Sequence, residues 1–343
     1  MSSSILACGR FKLDMSRPRI MAIINVTADS FSGDGCPDLA SAIRAAERAV
    51  GEGAEILDIG GESSRPGAIP VSEQQELDRV VPLVEALAPL NVPLSIDTVK
   101  PAVMRESIRA GADLINDIAS FRAPGALEAV CDSPVALSVM HMQGEPGTMQ
   151  LAPSYRDVVA EVRGFLDERV RVLLDHGVAP ERIVVDPGFG FGKTLDHNLA
   201  LLRSLEVFGE GGYPVFVGMS RKTMLGAITG RDVNDRVFAG AAAALLAVQR
   251  GARIVRTHDV GAQAGPALPR GHHPYHRQHD RPRSRHARHP RSPARCATAH
   301  LDRCRSRGAR GHGLSRSRAR RWKRIADRLD ADDRLRADSR RRD

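Results

Sequence analysis

Cysteine is scarce in this chain. Five occur in 343 residues (Cys8, Cys36, Cys131, Cys296 and Cys304), odd in number and widely scattered. That excludes a disulfide framework and points to a reducing compartment. No apolar stretch reaches the ~18 residues of a membrane-spanning helix. The N-terminus, Met1-Ser-Ser-Ser-Ile-Leu-Ala-Cys8, lacks the basic segment and apolar run of a secretory leader. These absences set an expectation of a soluble, cytoplasmic chain with no membrane partner.

Apolar residues are also missing where a folded segment would need them. The last 83 residues hold only six Ile, Leu, Val or Phe, yet eight of the twelve histidines. That is well under the roughly 20 % expected of a foldable sequence. Residues 261–343 carry 24 Lys+Arg against 8 Asp+Glu, a net of +16, whereas residues 1–260 carry 26 against 33, a net of −7. The overall charge of +9 is therefore an average of two materials. We read 1–260 as one globular domain and 261–343 as an Arg/His/Pro-rich, low-complexity tail, disordered by composition.

What is present in the first 260 residues is a repeated pattern. Eight short apolar runs lie near 19–26, 56–59, 94–97, 114–117, 135–140, 183–186, 215–218 and 253–256, separated by seven helical segments. Alternating strand and helix implies a parallel sheet with right-handed crossovers. Eight units in roughly 250 residues is the size of a (β/α)8 barrel. An open doubly wound sheet is the alternative. Against it, no Gly-x-Gly-x-x-Gly follows the first run, and polar residues follow nearly every run instead of one switch point.

A barrel gathers the residues that follow its strands into one ring. Here the ring would hold Asn25, Arg65, Asp97, Asn116, Asp186, Lys222, Arg256 and His258. The fullest of these strand ends is Ile183-Val-Val-Asp186-Pro-Gly-Phe-Gly-Phe-Gly192-Lys193, a buried strand, an acid, and a glycine loop interleaved with phenylalanines. Glycines allow positive φ and close approach of a ligand. Ser220-Arg-Lys222 and Arg256-Thr-His258 follow the seventh and eighth runs, where barrels commonly bind phosphate. Asp97, Asn116 and Asp186 together suit the donor-rich edge of a heterocycle. The ring thus points to a phosphorylated, nitrogen-rich substrate. Each residue also has a plainer reading. Asn25 serves as a turn residue, Asp97 and Asp117 as helix caps, Arg65 and Arg221 as partners of surface acids, Met140 as packing, and His258 as a satisfied core histidine. Their joint placement favours the functional reading.

The chain resembles the bacterial dihydropteroate synthases. The resemblance rests on Ile23-Ile-Asn-Val-Thr-Ala-Asp-Ser-Phe31, Asp58-Ile-Gly-Gly-Glu-Ser-Ser-Arg-Pro-Gly67, Ser95-Ile-Asp-Thr98, Ile115-Asn-Asp-Ile118, Met140-His-Met-Gln-Gly144, the stretch Asp186 to Lys193, Gly218-Met-Ser-Arg-Lys222 and Arg256-Thr-His-Asp-Val260. These come in the family's order and cover about residues 18–260. The resemblance implies a TIM barrel that joins p-aminobenzoate to 6-hydroxymethyl-7,8-dihydropterin pyrophosphate and releases pyrophosphate. It further implies that Asp97, Asn116, Asp186 and Lys222 hold the pterin and that Asn25 contacts Mg2+. Ser64, Arg65, Arg256 and His258 would meet the pyrophosphate. Phe31, Pro66, Phe191 and Thr223 would line the p-aminobenzoate pocket, where sulfonamides compete, and Met140 joins the substrate-binding set. Asp97, Asp186, Lys222 and Arg256 would carry the catalysis. Ala28, Ser64 and Thr223 depart from the family's commonest Pro, Thr and Ser. A homodimer formed partly through the late helices is implied as well.

The resemblance stops at Val260, where the family would continue into an eighth helix. Here that helix reads as missing or replaced. Three readings of the tail stand open: out-of-frame translation of a GC-rich gene, a basic segment that contacts nucleic acid, and a metal site at Cys296-x3-His300-x3-Cys304. The abrupt change at an element boundary favours the first. A pterin-binding methyltransferase of the same barrel type, or an unstable variant whose tail binds nucleic acid, are the alternatives to the synthase reading.

Overall fold

The computed structural model describes residues 4–26, 36, 38–63 and 70–264. All of them lie in the first of the two units into which the chain divides, Met1–His272. The eight apolar runs are barrel strands: β3 (Arg19–Asn25), β4 (Ile56–Gly60), β5 (Leu94–Asp97), β6 (Leu114–Asp117), β7 (Ala136–Met140), β8 (Ile183–Asp186), β9 (Val215–Gly218) and β10 (Ala252–Thr257). They pair in parallel and in sequence, and β10 closes on β3. This is the (β/α)8 barrel expected from the alternation.

Two further strands have no counterpart among the eight apolar runs. β1 (Ile5–Cys8) and β2 (Phe11–Asp14) precede the barrel as an antiparallel hairpin. Cys8 pairs with Phe11, so the turn is the two residues Gly9 and Arg10, with Gly9 at φ +54. A positive φ at the first central position is what such a turn demands. Leu6, Cys8, Leu13 and Met15 of this segment pack with Met21, Ile56, Leu114, Ala136, Val184, Phe216 and Ile254. Those seven are the inward side chains near the strand N-termini, so the hairpin plugs that end of the barrel. Burying a large apolar side chain fully contributes about 1.5–3 kcal/mol. Arg10 fixes the plug, donating from Nη2 to the fully buried Asp113 at 2.8 Å. Asp113 also accepts from the Leu94 backbone at 3.0 Å.

Alternate residues of each strand point outward to the helices. Ile20, Ala22 and Ile24 of β3 meet a layer that includes Ala42, Ala46 and Ala49, the buried stripe of α1 (Leu39–Glu52). Next come α2 (Glu73–Leu87), α3 (Pro101–Ala110), α4 (Ala126–Val130), α5 (Val158–Asp175), α6 (Leu195–Arg203), α7 (Thr223–Thr229) and α8 (Val237–Gln249). Helix starts follow local chemistry. Asp38 with Ser41, Ser72 with Gln75, and Thr194 with His197 form reciprocal capping boxes. Pro101 opens α3 at its first turn, where a missing N–H costs nothing. After β10 a single helical turn, α9 (Val260–Gln263), stands at the place of the eighth helix, and Val260, Gln263 and Ala264 are buried. The Gly261 amide donates to Glu52 of α1 at 3.1 Å. Among the described residues no helix is long and apolar enough to cross a membrane.

Candidate active site

The strand period of two decides which polar residues enter the barrel. On β6, Asn116 is inward and pairs in register with Asp97 and Ser138. Its neighbour Asp117 instead accepts from the backbone amides of Ala119 at 2.7 Å and Phe121 at 2.6 Å. Asp117 therefore has the plainer, turn-building role. Burial pushes it up to about 6, opposed by those two N–H bonds. Asp97 builds no cap. Its carboxylate accepts from Arg256 Nη2 at 2.8 Å.

Arg256 is the cation around which the inner ring is wired. Its Nε donates to Asp58 Oδ2 at 2.5 Å. Asp58 also accepts from Ser95 Oγ at 2.5 Å and Asn116 Nδ2 at 3.4 Å, and it is wholly buried. Asp58 has no place in the ring read from the strand ends. The available signal was a carboxylate in the middle of Ile56-Leu-Asp-Ile59, because a charge inside a two-sided apolar strand requires a partner. Burial works against the Arg256 charge, but Asp58 and Asp97 more than offset it, and its pKa rises. Burial raises Asp97, with Arg256 pulling the other way.

Asp186 ends β8, and Lys222 follows β9, the neighbour of β10. Asp186 Oδ1 accepts from the Gly188 amide at 2.7 Å. Its pKa is raised by burial and lowered chiefly by Lys222. Lys222, the N-cap of α7, sends its amine to the Phe189 carbonyl and sits 4.4 Å above the centre of the Phe191 ring. A cation over an aromatic face is attracted by the ring quadrupole. Burial brings Lys222 down to about 8, against the pull of Asp186. Phe191 packs against the cluster of Ile118, Met140, Met142 and Met149, so Met140 and Phe191 share one apolar wall. The two phosphate-type loops are joined: Ser220 Oγ accepts from the His258 amide at 3.2 Å and lies 3.1 Å from His258 Nδ1. Arg221 pairs with Asp259 at 2.7 Å. Thr223 is exposed at the first turn of α7.

The structure thus brings Asp97, Asn116, Asp186, Lys222 and Arg256 together, with Met140 and Phe191 beside them and His258 on the adjoining loop. Asn25 ends β3, its side-chain oxygen facing Gly60 of β4. Its carbonyl accepts from the Cys36 amide at 2.8 Å. Phe31, Ser64, Arg65 and Pro66 lie outside the described residues.

Several acceptors and two cations, contributed by different strands at one barrel mouth, match a flat ring rich in N–H groups that carries an anionic tail. The family description "Pterin binding enzyme" matches residues 21–258. The dihydropteroate synthase of Haemophilus influenzae is 48% identical over 252 residues, spanning 73% of this chain and 92% of that protein. This chain belongs to the dihydropteroate synthases. Solved members of the family superimpose on it. The Burkholderia cenocepacia dihydropteroate synthase complexed with 7,8-dihydropteroate is 57% identical, with a TM-score of 0.70 over 76% of this chain and 92% of that one. The Xanthomonas albilineans dihydropteroate synthase with 4-aminobenzoic acid is 47% identical, with a TM-score of 0.72 over 77% and 96%. The chain is accordingly a transferase of folate synthesis.

Proposed function

We infer that the ring of Asp97, Asn116, Asp186, Lys222 and Arg256 holds 6-hydroxymethyl-7,8-dihydropterin pyrophosphate while p-aminobenzoate displaces its pyrophosphate. The observation that carries this reading is the pairing of an acceptor-lined wall with two half-buried cations inside one barrel mouth. Asp97, Asp186 and the Asn116 amide oxygen accept from the ring's N–H groups. The Asn116 amide nitrogen is already committed to Asp58, which supports that orientation. Lys222 supplies a donor to the ring's carbonyl side. In the reaction the methylene C–O bond breaks, and its electron pair leaves with pyrophosphate. The amine nitrogen forms the new C–N bond and gives up a proton. Arg256 and His258 meet the leaving group's negative charge, and fixed donors aimed at developing charge stabilise the transition state. The negative Asp97 and Asp186 support the cationic methylene carbon.

Asn25 offers a hard oxygen, and among the described residues there is no cluster of three or more His, Cys, Asp or Glu able to hold a metal. That donor set fits Mg2+ taken largely through substrate phosphate oxygens. Asn25 would be its protein ligand. When bound, the ion neutralises charge on the departing pyrophosphate. Phe31, Ser64, Arg65, Pro66, Phe191 and Thr223 complete the proposal as second-substrate and pyrophosphate contacts, and a homodimer belongs to the same reading.

Incorporation of labelled p-aminobenzoate by the purified chain tests the assignment. Formation of labelled dihydropteroate with one pyrophosphate per turnover is expected. Pterin binding without incorporation would favour a methyltransferase-type barrel.

A further inference from the structure

Lys193 ends the glycine-rich stretch after β8, yet the proposed chemistry leaves it unused. The residue is 3% exposed. Its ammonium reaches the carbonyls of Gly188 and Phe191 at 2.9 Å each, the carbonyl of His141 at 3.2 Å, and His141 Nδ1 at 2.9 Å. All four partners are acceptors. His141 is held well below the usual imidazole range, to about 3, first by burial and then by Lys193, so the ring is neutral, and beside an ammonium its Nδ1 is the accepting nitrogen. The three backbone carbonyls can only accept, and three N–H donors are what the protonated amine supplies. Burial pulls Lys193 down to about 7 while Asp186 raises it.

These bonds tie two loops together at their closest approach. A Cβ on Gly188 would stand 1.9 Å from the His141 carbonyl oxygen, and one on Gly192 would stand 2.3 Å from that of Gln143. The loop after β8 thus lies directly on the backbone of the loop after β7. One carbonyl of the loop after β7 and two of the loop after β8 converge on the Lys193 amine, which bridges them. The loop so fixed supplies the two groups that touch the Lys222 amine: the Phe189 carbonyl and the Phe191 ring. Tyr155 Oη adds a bond to the Gly192 carbonyl at 2.8 Å, and Asn198 accepts from the Gly190 amide at 2.7 Å.

We propose that Lys193 is a positioning residue, whose buried ammonium clamps the loop after β8 onto the loop after β7 so that the Phe189 carbonyl and Phe191 ring aim Lys222 into the pterin site. The proposal rests on the reading of Lys222 as a pterin ligand. A double-mutant cycle tests both and tells them apart, because coupled residues fail to add. kcat/KM for the pterin pyrophosphate is measured at saturating p-aminobenzoate for the full chain, Lys193→Met, Lys222→Met and the pair, with the melting temperature of each. Lys193→Met is expected to lower kcat/KM at least tenfold in the parent. In the Lys222→Met background it is expected to lower it less than twofold, although its cost in melting temperature is the same in both. A full tenfold loss in both backgrounds overturns the positioning role and leaves Lys193 a purely structural clamp. A near-parental value for Lys222→Met alone overturns the site reading and this proposal with it. Should Lys193→Met fail to fold, Lys193→Gln, which retains two N–H donors without the charge, carries the same cycle with the same expected outcomes.

Discussion

Arg256 and Asp58 face each other across the barrel interior, Nε to Oδ2 at 2.5 Å, although they are 198 residues apart in the chain. The pair joins the last strand to the second barrel strand through side chains alone. Removing one member of a buried ion pair costs about 3–5 kcal/mol, because the other is left uncompensated. Asp58→Asn keeps the shape and deletes the charge. We expect urea unfolding of this variant to show a loss of about 3 kcal/mol, together with reduced pterin affinity as Arg256 and Asn116 lose their anchor. An unchanged midpoint and affinity would show that the pair is incidental.

Asp186 is buried and faces Lys222, and its ionised form is the proposed acceptor for the pterin ring. Asp186→Asn should cut kcat/KM at least about a hundredfold, equivalent to about 2.7 kcal/mol of transition-state stabilisation. Steady-state kinetics giving a near-parental value would remove Asp186 from the site.

The pH profile follows from the direction of the shifts. Lys222, lowered to about 8 by burial, must keep its proton, so kcat/KM falls as pH rises through that value. Asp97, raised by burial, must be ionised, so kcat/KM also falls as pH drops through its elevated pKa. A bell with a narrow plateau is expected, since such profiles report the essential acid and base of the free enzyme. A rate flat from about pH 6 to about pH 9 contradicts the paired assignment.

Gly188 has φ +69 and rests against the His141 carbonyl. Gly188→Ala brings left-handed strain of roughly 1–3 kcal/mol and a direct backbone clash. Loss of soluble protein, or a melting temperature lowered by about 10 °C or more, is expected from that combination. Parental stability would mean that the two loops separate easily, and would weaken the case for Lys193 as well.

Every ring residue lies at or before His258. A chain ending after Ala264 should therefore retain kcat/KM within about twofold, and should lose any salt-sensitive nucleic-acid binding that the basic segment confers. Loss of activity measured on folded, truncated protein would place a needed contact beyond that residue.

Much of this was legible in the sequence because a parallel barrel writes its strands as short apolar runs and its site as the polar residues that end them. Asp97, Asn116, Asp186, Lys222 and Arg256 stand out that way, and the structure brings them together. The sequence places Asn116 in the ring and Asp117 among the caps, and the two-residue strand period explains the division, since it sends adjacent side chains to opposite faces. Asp58 stayed hidden because it sits within a strand, and its partners come from β5, β6 and β10. Lys193 was visible as the end of a motif, but its partners are carbonyl oxygens, which leave no mark in side-chain spelling. The β1–β2 hairpin escaped because four-residue strands with a Lys and an Asp among them carry too little periodicity.

The hairpin also insulates the barrel. Leu6, Cys8, Leu13 and Met15 add a layer over Met21, Ile56 and Phe216 at the strand N-termini, the end of a barrel whose residues serve stability and leave the chemistry to the opposite mouth. Shaving off those four side chains would wet the foundation of the barrel while leaving the ring of polar residues spelled as before.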